Sequence, residues 1–317
     1  LVLFDNAETP MHNLRLELEE KFPELDFVPV IGDVRLLARL DYVFRTWHPQ
    51  IVFHAAAYKH VPLMENYPGE AIQANVLGTK NMADIAVKYN VERFVMISTD
   101  KAVNPTNIMG ASKRIAEIYV QSLFRRLQSE KNDCTKFITT RFGNVLGSNG
   151  SVIPYFQKQI AAGGPVTVTH PNIIRYFMTI PEACCLVMEA STLGKGGEIF
   201  IFDMGKPVKI LDLARNMIRL AGYTPEKDIP IVFTGLRPGE KLYEELLNQK
   251  ETTLPTDNKK IMIARVREFD FDVVSKQIDT LIETSYTNKP FTIVKQMKQL
   301  VPEYISNNSI YEQLDIQ

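Results

Sequence analysis

Short apolar runs separated by amphipathic stretches constrain this chain more than any other feature. The runs are "LVLF" (1–4), "FVPVI" (27–31), "IVFHAAA" (51–57), "RFVMIST" (93–99) and "FITTRF" (137–142). Between them lie helical patterns near 9–22, 35–47 and 70–89, and a long one from about Asn107 to Ser129. Strands that are apolar on both faces must be covered on both faces, and helices between consecutive strands allow parallel pairing. The predicted fold is therefore α/β: a Rossmann-like, doubly wound parallel sheet over residues 1–150. After Gly150 the rhythm loosens, with punctuation at Gly163, Gly164, Pro165, Gly194, Gly196, Gly197 and "RPGEK" (237–241). Residues 151–317 are expected to form mainly a smaller α/β lobe for substrate binding, with two short helices near 270–283 and 290–300.

The 317 residues hold 36 basic and 37 acidic side chains, a net charge of −1. Such a balance argues against a nucleic-acid or membrane-surface binder and for a small-molecule partner. Cys134, Cys184 and Cys185 have no metal-ligand spacing; the adjacent pair is expected to be packed on a helix in a reducing cytoplasm. His54 and His60 are expected to pack or hydrogen-bond, and no metal site is predicted. No run of about 18 apolar residues is present.

Nucleotide-binding features cluster early. Asp5 closes the first strand, where a Rossmann half places a carboxylate on the adenosine ribose and so prefers NAD to NADP. An Asp at that point is also a common turn former. Asp33 in "GDV" (32–34), with Val34 beside it, is placed to meet the adenine, and the small Ala55 and Ala56 after the third run let a dinucleotide approach the backbone. Lys59 and Asn75 are further contacts or orienters on this side. The Gly-rich turn that seats a pyrophosphate on a helix N-terminus is absent. The chain opens directly on an apolar strand, so roughly 30 residues of the first βα unit are expected upstream, and this chain alone is expected to bind NAD poorly.

The stretch "STDKAVNPTNIMGASK" (98–113) carries the chemistry. Thr99, Asp100 and Lys101 follow a strand at its C-terminal end, the edge where open α/β sheets bind ligands. An Asp works as an acid when its pKa is raised and a Lys as a base when its pKa is lowered; a dry pocket is expected to do both, although direct pairing opposes it. An isolated Thr-Asp-Lys would by default be a surface turn. Met109 and Lys113 are four residues apart on one helix face.

Together, "STDKAVNPTNIMGASKR", "RFGNVLGSNGSVIP" (141–154), "RYFMTIPEA" (175–183) and "FTGLRPGEKLYEELL" (233–247) resemble bacterial nucleotide-sugar 4,6-dehydratases of polysaccharide biosynthesis. The resemblance is to the UDP-N-acetylglucosamine 4,6-dehydratases of the extended short-chain dehydrogenase family. It covers about residues 1–250. The long, membrane-anchored members have Met where short members keep a Tyr four residues before the Lys, and Met109 matches them. The resemblance implies NAD-dependent 4,6-dehydration of a UDP-N-acetylhexosamine for capsule or other surface glycans, at the cytoplasmic face of the inner membrane, with any anchor lying upstream. It further implies Asp100 as acid at C6, Lys101 as base at C5, Thr99 as the route for the C4 proton and Lys113 on the nicotinamide ribose. Asn144, Arg175, Arg237, Glu240 and Lys59 become substrate contacts, the arginines for the diphosphate. Homo-oligomers in this superfamily commonly pair through the helix after the active-site strand. The alternatives are a nucleotide-sugar 4-epimerase, or a binding protein whose active site Met109 has extinguished.

Overall fold

A computed structural model describes residues 1–130, 134–245 and 252–315. The expected alternation is present: β1 (Val2–Asp5), α1 (Glu8–Lys21), β2 (Val28–Ile31), α2 (Leu37–Trp47) and β3 (Ile51–His54). The predicted 70–89 helix is assembled from α3 (Val61–Asn66), α4 (Pro68–Ala71), a π-helical segment (Ile72–Leu77) and α5 (Gly78–Lys88). Then come β4 (Arg93–Ile97), α6 (Ile108–Glu130) and β5 (Lys136–Arg141). Beyond lie β6 (Asn144–Val145), α7 (Val152–Ala161), β7 (Val166–Val168), β8 (Ile174–Arg175), β9 (Phe177–Met178), α8 (Ile180–Leu193) and β10 (Ile199–Phe202). The rest is β11 (Val208–Lys209), α9 (Ile210–Leu220), β12 (Ile231–Phe233), β13 (Thr252–Pro255), β14 (Ile261–Arg265), α10 (Phe271–Ser285) and α11 (Pro290–Leu300).

The main sheet has the order β13-β14-β10-β5-β4-β3. Strands β3, β4, β5 and β10 run parallel, and β14 and β13 close one edge antiparallel. Phe94, Val95 and Met96 of β4 and all four residues of β10 are buried, as an apolar run covered on both faces requires. β1 and β2 pair with each other as a separate parallel ribbon.

The second half of the chain does not stay in one lobe. Residues 151–245 supply a lobe in which α7, α9, β7 and β12 share a core of Phe156, Ile160, Val166, Val168, Ala214, Ile218 and Ile229. β10, β13 and β14 return to the main sheet. Helices α10 and α11 return further and pack on α6, placing Val274, Ile278, Leu281, Ile293, Val294 and Met297 in one core with Ile115, Ile118 and Tyr119. Every residue of α6 from Ile108 to Phe124 is buried as a result. One expectation is corrected on α8. Its inner face is Ala183, Leu186, Val187 and Ala190, which leaves Cys184 and Cys185 exposed rather than packed.

Candidate active site

Two glycines let three segments converge at the end of β4. Gly110, in the first turn of α6, lies so close to the 98–103 loop that a Cβ there would sit 2.1 Å from the Lys101 carbonyl oxygen. Gly239, buried with φ +76°, would place a Cβ 2.5 Å from Asn107 Cβ. The loop after β4 is held by the Asp100 N–H on the Phe142 carbonyl (3.1 Å), and by the Thr99 hydroxyl, which accepts from the Lys101 N–H (3.3 Å).

These segments open into a cavity of about 630 Å³. Thr99, Lys101, Met109, Lys113, Asn144, Lys59, Arg175, Arg237 and Glu240 all line it. Asp100 lies just behind, 1% exposed. Its Oδ1 accepts from Thr99 Oγ1 (2.9 Å) and from Lys101 Nζ (3.0 Å). Its Oδ2 is buried with no hydrogen-bond partner among the described residues. The Lys101 amine also reaches Asn144 Oδ1 (3.4 Å) and, across the cavity floor, Glu244 Oε1 (3.7 Å). The pairing that the sequence left as a counter-influence therefore wins. Burial is the largest influence on Lys101 and pulls its amine down, but Asp100 and Glu244 outweigh it and hold it above the ordinary lysine range. The expected lowering is not found.

Lys113 behaves as a dry pocket predicts. Burial lowers its pKa to about 8, with Glu117, one turn further along α6, opposing the fall. Glu117 is itself fixed by Arg141 (2.8 and 2.7 Å), Arg114 (3.1 Å) and the Ser98 hydroxyl (2.7 Å). Burial would raise its carboxyl, yet Arg141 and Arg114 hold it at about 2. A charged group thus lies beneath Ser98 and Lys113 without opening the site to water.

The arginines differ in availability. Arg175 is 8% exposed; its guanidinium donates to the Ile174 carbonyl (2.8 Å) and lies 3.4 Å from Glu240 and 3.6 Å from Glu244. Arg237 is exposed; Glu240 engages its backbone, the carboxylate accepting the Arg237 N–H (3.0 Å) and the Glu240 N–H bonding the Arg237 carbonyl (3.0 Å). Lys59 reaches the Asn149 carbonyl at the rim (2.8 Å).

A second cleft of about 260 Å³ is lined by Asp5, Asp33, Val34, Arg35 and Ala55 to Tyr58. Ala55, Ala57 and Tyr58 border both cavities, so the two adjoin. Asp5 has both meanings weighed for it: it borders the cleft, and its Oδ1 accepts the Ala7 N–H (2.8 Å) as a turn former does. Asp33 is gripped by Arg35 (2.6 Å), whose hydrogen bond holds its carboxyl below the usual range. Asn75 is an orienter rather than a contact. It is fully buried in the π-helical segment, and its amide group bonds the Tyr58 backbone on both sides (2.7 and 3.0 Å) and Ser112 (2.9 Å). His54 is buried on Thr79 (2.9 Å) and lowered by burial to about 3. No cluster of metal-ligating side chains occurs among the described residues.

Sequence reasoning missed Glu244. It lies in the quoted "RPGEKLYEELL" motif, four residues after Glu240, and its place in that motif was the available signal. Leu246 and Leu247 of the motif fall outside the described residues.

A family of polysaccharide biosynthesis proteins matches residues 1–266. The chain belongs to that family. It is 52% identical over 289 residues to the capsular polysaccharide biosynthesis protein CapD of Staphylococcus aureus, covering 91% of this chain and 47% of CapD. It is 50% identical over 284 residues to the probable polysaccharide biosynthesis protein EpsC of Bacillus subtilis, covering 89% and 46%. The chain thus spans about half the length of these relatives. It is also 37% identical over 256 residues to a UDP-glucose 4-epimerase of Rickettsia canadensis, covering 80% and 71%. Among solved structures, Pen from Bacillus thuringiensis matches with 35% identity and a TM-score of 0.74, covering 83% of this chain and 79% of Pen. The dTDP-glucose 4,6-dehydratase DesIV of Streptomyces venezuelae, solved with NAD bound, shares the fold at 19% identity and a TM-score of 0.59, covering 74% and 84%. The family match and the shared fold make this a Rossmann-like chain of the polysaccharide biosynthesis family. Among the described residues, no helix is long and apolar enough to cross a membrane.

Proposed function

We propose that the protein containing this chain is an NAD-dependent 4,6-dehydratase acting on a UDP-N-acetylhexosamine, with UDP-N-acetylglucosamine the leading substrate. The observation that carries this reading is the Thr99–Asp100–Lys101 cluster, a base on the cavity wall in contact at 3.0 Å with an acid just behind it, beside an apolar Met109. The two adjoining cavities suit the adenosine and nicotinamide ends of NAD. Three successive alanines remove side-chain bulk where they meet, Asp5 and Asp33 border one end, and Lys113 faces the other. When bound, NAD supplies the acceptor that takes a hydride from sugar C4 and returns it to C6.

The chain's own residues handle protons. The Thr99 hydroxyl already donates to Asp100, so a proton it receives from the C4 hydroxyl has a carboxylate waiting 2.9 Å away. That transfer loads Asp100 to protonate the departing C6 hydroxyl. Neutral Asp100 also stops holding the Lys101 ammonium, which is then held by Glu244 alone; release of its proton to solvent in the open cavity leaves the neutral amine that removes the C5 proton. Lys113 orients the nicotinamide ribose. Met109 contributes an apolar wall and no proton. Arg237 and Arg175, backed by Glu240, hold the diphosphate.

The second reading, a 4-epimerase, has the Rickettsia relative in its favour. Epimerisation gives the Asp100–Lys101 pair nothing to do. The natural protein containing this chain, incubated with UDP-N-acetylglucosamine in deuterium oxide, is expected to yield a product with a 6-methyl proton resonance and deuterium at C5. A product that keeps its C6 hydroxyl sinks the dehydratase reading.

A further inference from the structure

Residues 267–315 lie beyond the family match, and their last stretch reaches the active site from behind. After α11 the chain is pinned by Lys298. Its buried amine donates to Ser306 Oγ (2.8 Å) and the Tyr304 carbonyl (3.3 Å), lies 3.9 Å from the centre of the Tyr304 ring, and pairs with Asp315. Asp315 in turn accepts the Ser306 N–H (3.2 Å). With 304–306 fixed, the next residues thread between two loops that are far apart in sequence.

On one side is the segment leading into α6. The Ile305 N–H bonds the Pro105 carbonyl (3.1 Å), and the Asn307 N–H bonds the Thr106 carbonyl (3.3 Å). Ser309 Oγ donates to Glu65 (2.7 Å), whose other oxygen accepts the Ile108 N–H at the start of α6 (2.8 Å). On the other side is the "RPGE" loop. The Gly239 N–H bonds the Asn307 carbonyl (2.7 Å), Asn307 Nδ2 donates to the Glu240 carbonyl (2.8 Å), and Asn308 Nδ2 donates to the Leu236 carbonyl (2.7 Å). Asn308 is left-handed at φ +52°, a conformation that Asn tolerates and that accompanies its side chain's reach to Leu236. Three carbonyls or N–H groups flanking Arg237 are thus held by two consecutive asparagines. The Arg237 side chain is exposed, so its aim into the cavity is set by where its backbone is held.

We propose that this tail, through Asn307 and Asn308, is a positioning element that pre-orders the Arg237–Glu240 loop and so sets affinity for the diphosphate of the nucleotide sugar. A loop ordered in advance loses less conformational freedom on binding, and the affinity gained appears in the substrate rather than the cofactor. The inference rests on the reading of Arg237 as a diphosphate contact.

The test is calorimetric titration of UDP, and separately of NAD, into the natural protein containing this chain and into its Asn307→Leu and Asn308→Gly forms, with melting curves for each. Asn307→Leu keeps the volume and removes the donor without adding a charge beside the loop; Asn308→Gly removes the side-chain donor and keeps the left-handed backbone, and Asn308 is exposed, so its variant folds if the first does not. Loss of one net hydrogen bond predicts UDP binding weakened about tenfold by Asn307→Leu and about three- to tenfold by Asn308→Gly. NAD binding is expected to be unchanged. Unaltered UDP affinity in both variants overturns the inference. So does a parallel loss of UDP and NAD affinity with a fallen melting point, since that is general loosening. A parent protein that itself fails to bind UDP removes the diphosphate reading and the inference together.

Discussion

Replacing Glu244 by Gln tests whether Lys101 is the base. Glu244 lies 3.7 Å from the Lys101 amine, and their side chains are 3% and 18% exposed. At an effective dielectric of about 20, a unit-charge pair at that separation interacts by roughly 4 kcal/mol, which corresponds to about 3 pH units of support for the charged amine. Partial solvent contact on the lysine and the nearby Arg175, which shares the same carboxylate oxygen, reduce this, and about 1–2 units is the expected net. Lys101 acts as a base only when neutral. Its pKa is raised in this site, so the neutral form grows as pH rises, and removing Glu244 must move that onset to lower pH. The assay is the rate of deuterium uptake at sugar C5 against pH. The acid limb of the profile should shift downward by about 1–2 units in Glu244→Gln. An unmoved limb, or one displaced upward, refutes the assignment of Lys101 as the C5 base and of Glu244 as the group that holds its proton.

Two further expectations follow from neighbouring geometry. Lys113 has a pKa lowered to about 8, so its ammonium is present below that pH and lost above it; turnover should decline above pH 8, and Lys113→Arg should remove the inflection while leaving the Lys101 limb in place. A profile in which the arginine form keeps the decline assigns it elsewhere. Gly110→Ala drives a methyl to 2.1 Å from the Lys101 carbonyl oxygen; the overpacking should cost about 1–3 kcal/mol and lower the melting temperature by about 2–6 °C, with loss of activity as the 98–103 loop moves. A variant with parental melting and turnover would show that α6 and this loop do not meet as described.

The sheet was legible because its signal is local. Runs such as "RFVMIS" declare burial on both faces without reference to anything else in the chain, and the end of β4 then points to Thr99, Asp100 and Lys101. The electrostatics of those residues were not legible. Lys101 was expected to be pulled down by a dry pocket; burial does pull it down, but the adjacent Asp100, joined by Glu244 from a segment 143 positions away (244 − 101), holds it up. The helices 271–285 and 290–300 were found by periodicity, but their destination on α6 was not, since an apolar stripe states that it will be covered and not by what. Asn75 is the converse case: the sequence left it a contact or an orienter, and only the fold shows that its amide bonds the Tyr58 backbone on both sides.

The covered face of α6 has a practical corollary. Met109 and Lys113 ride on a helix that is packed on all sides by the same polypeptide. Nothing from a second copy is needed to set that helix in place, so turnover per molecule should hold steady across a wide dilution series. Whatever assembly the natural protein forms, this helix is set within the single chain.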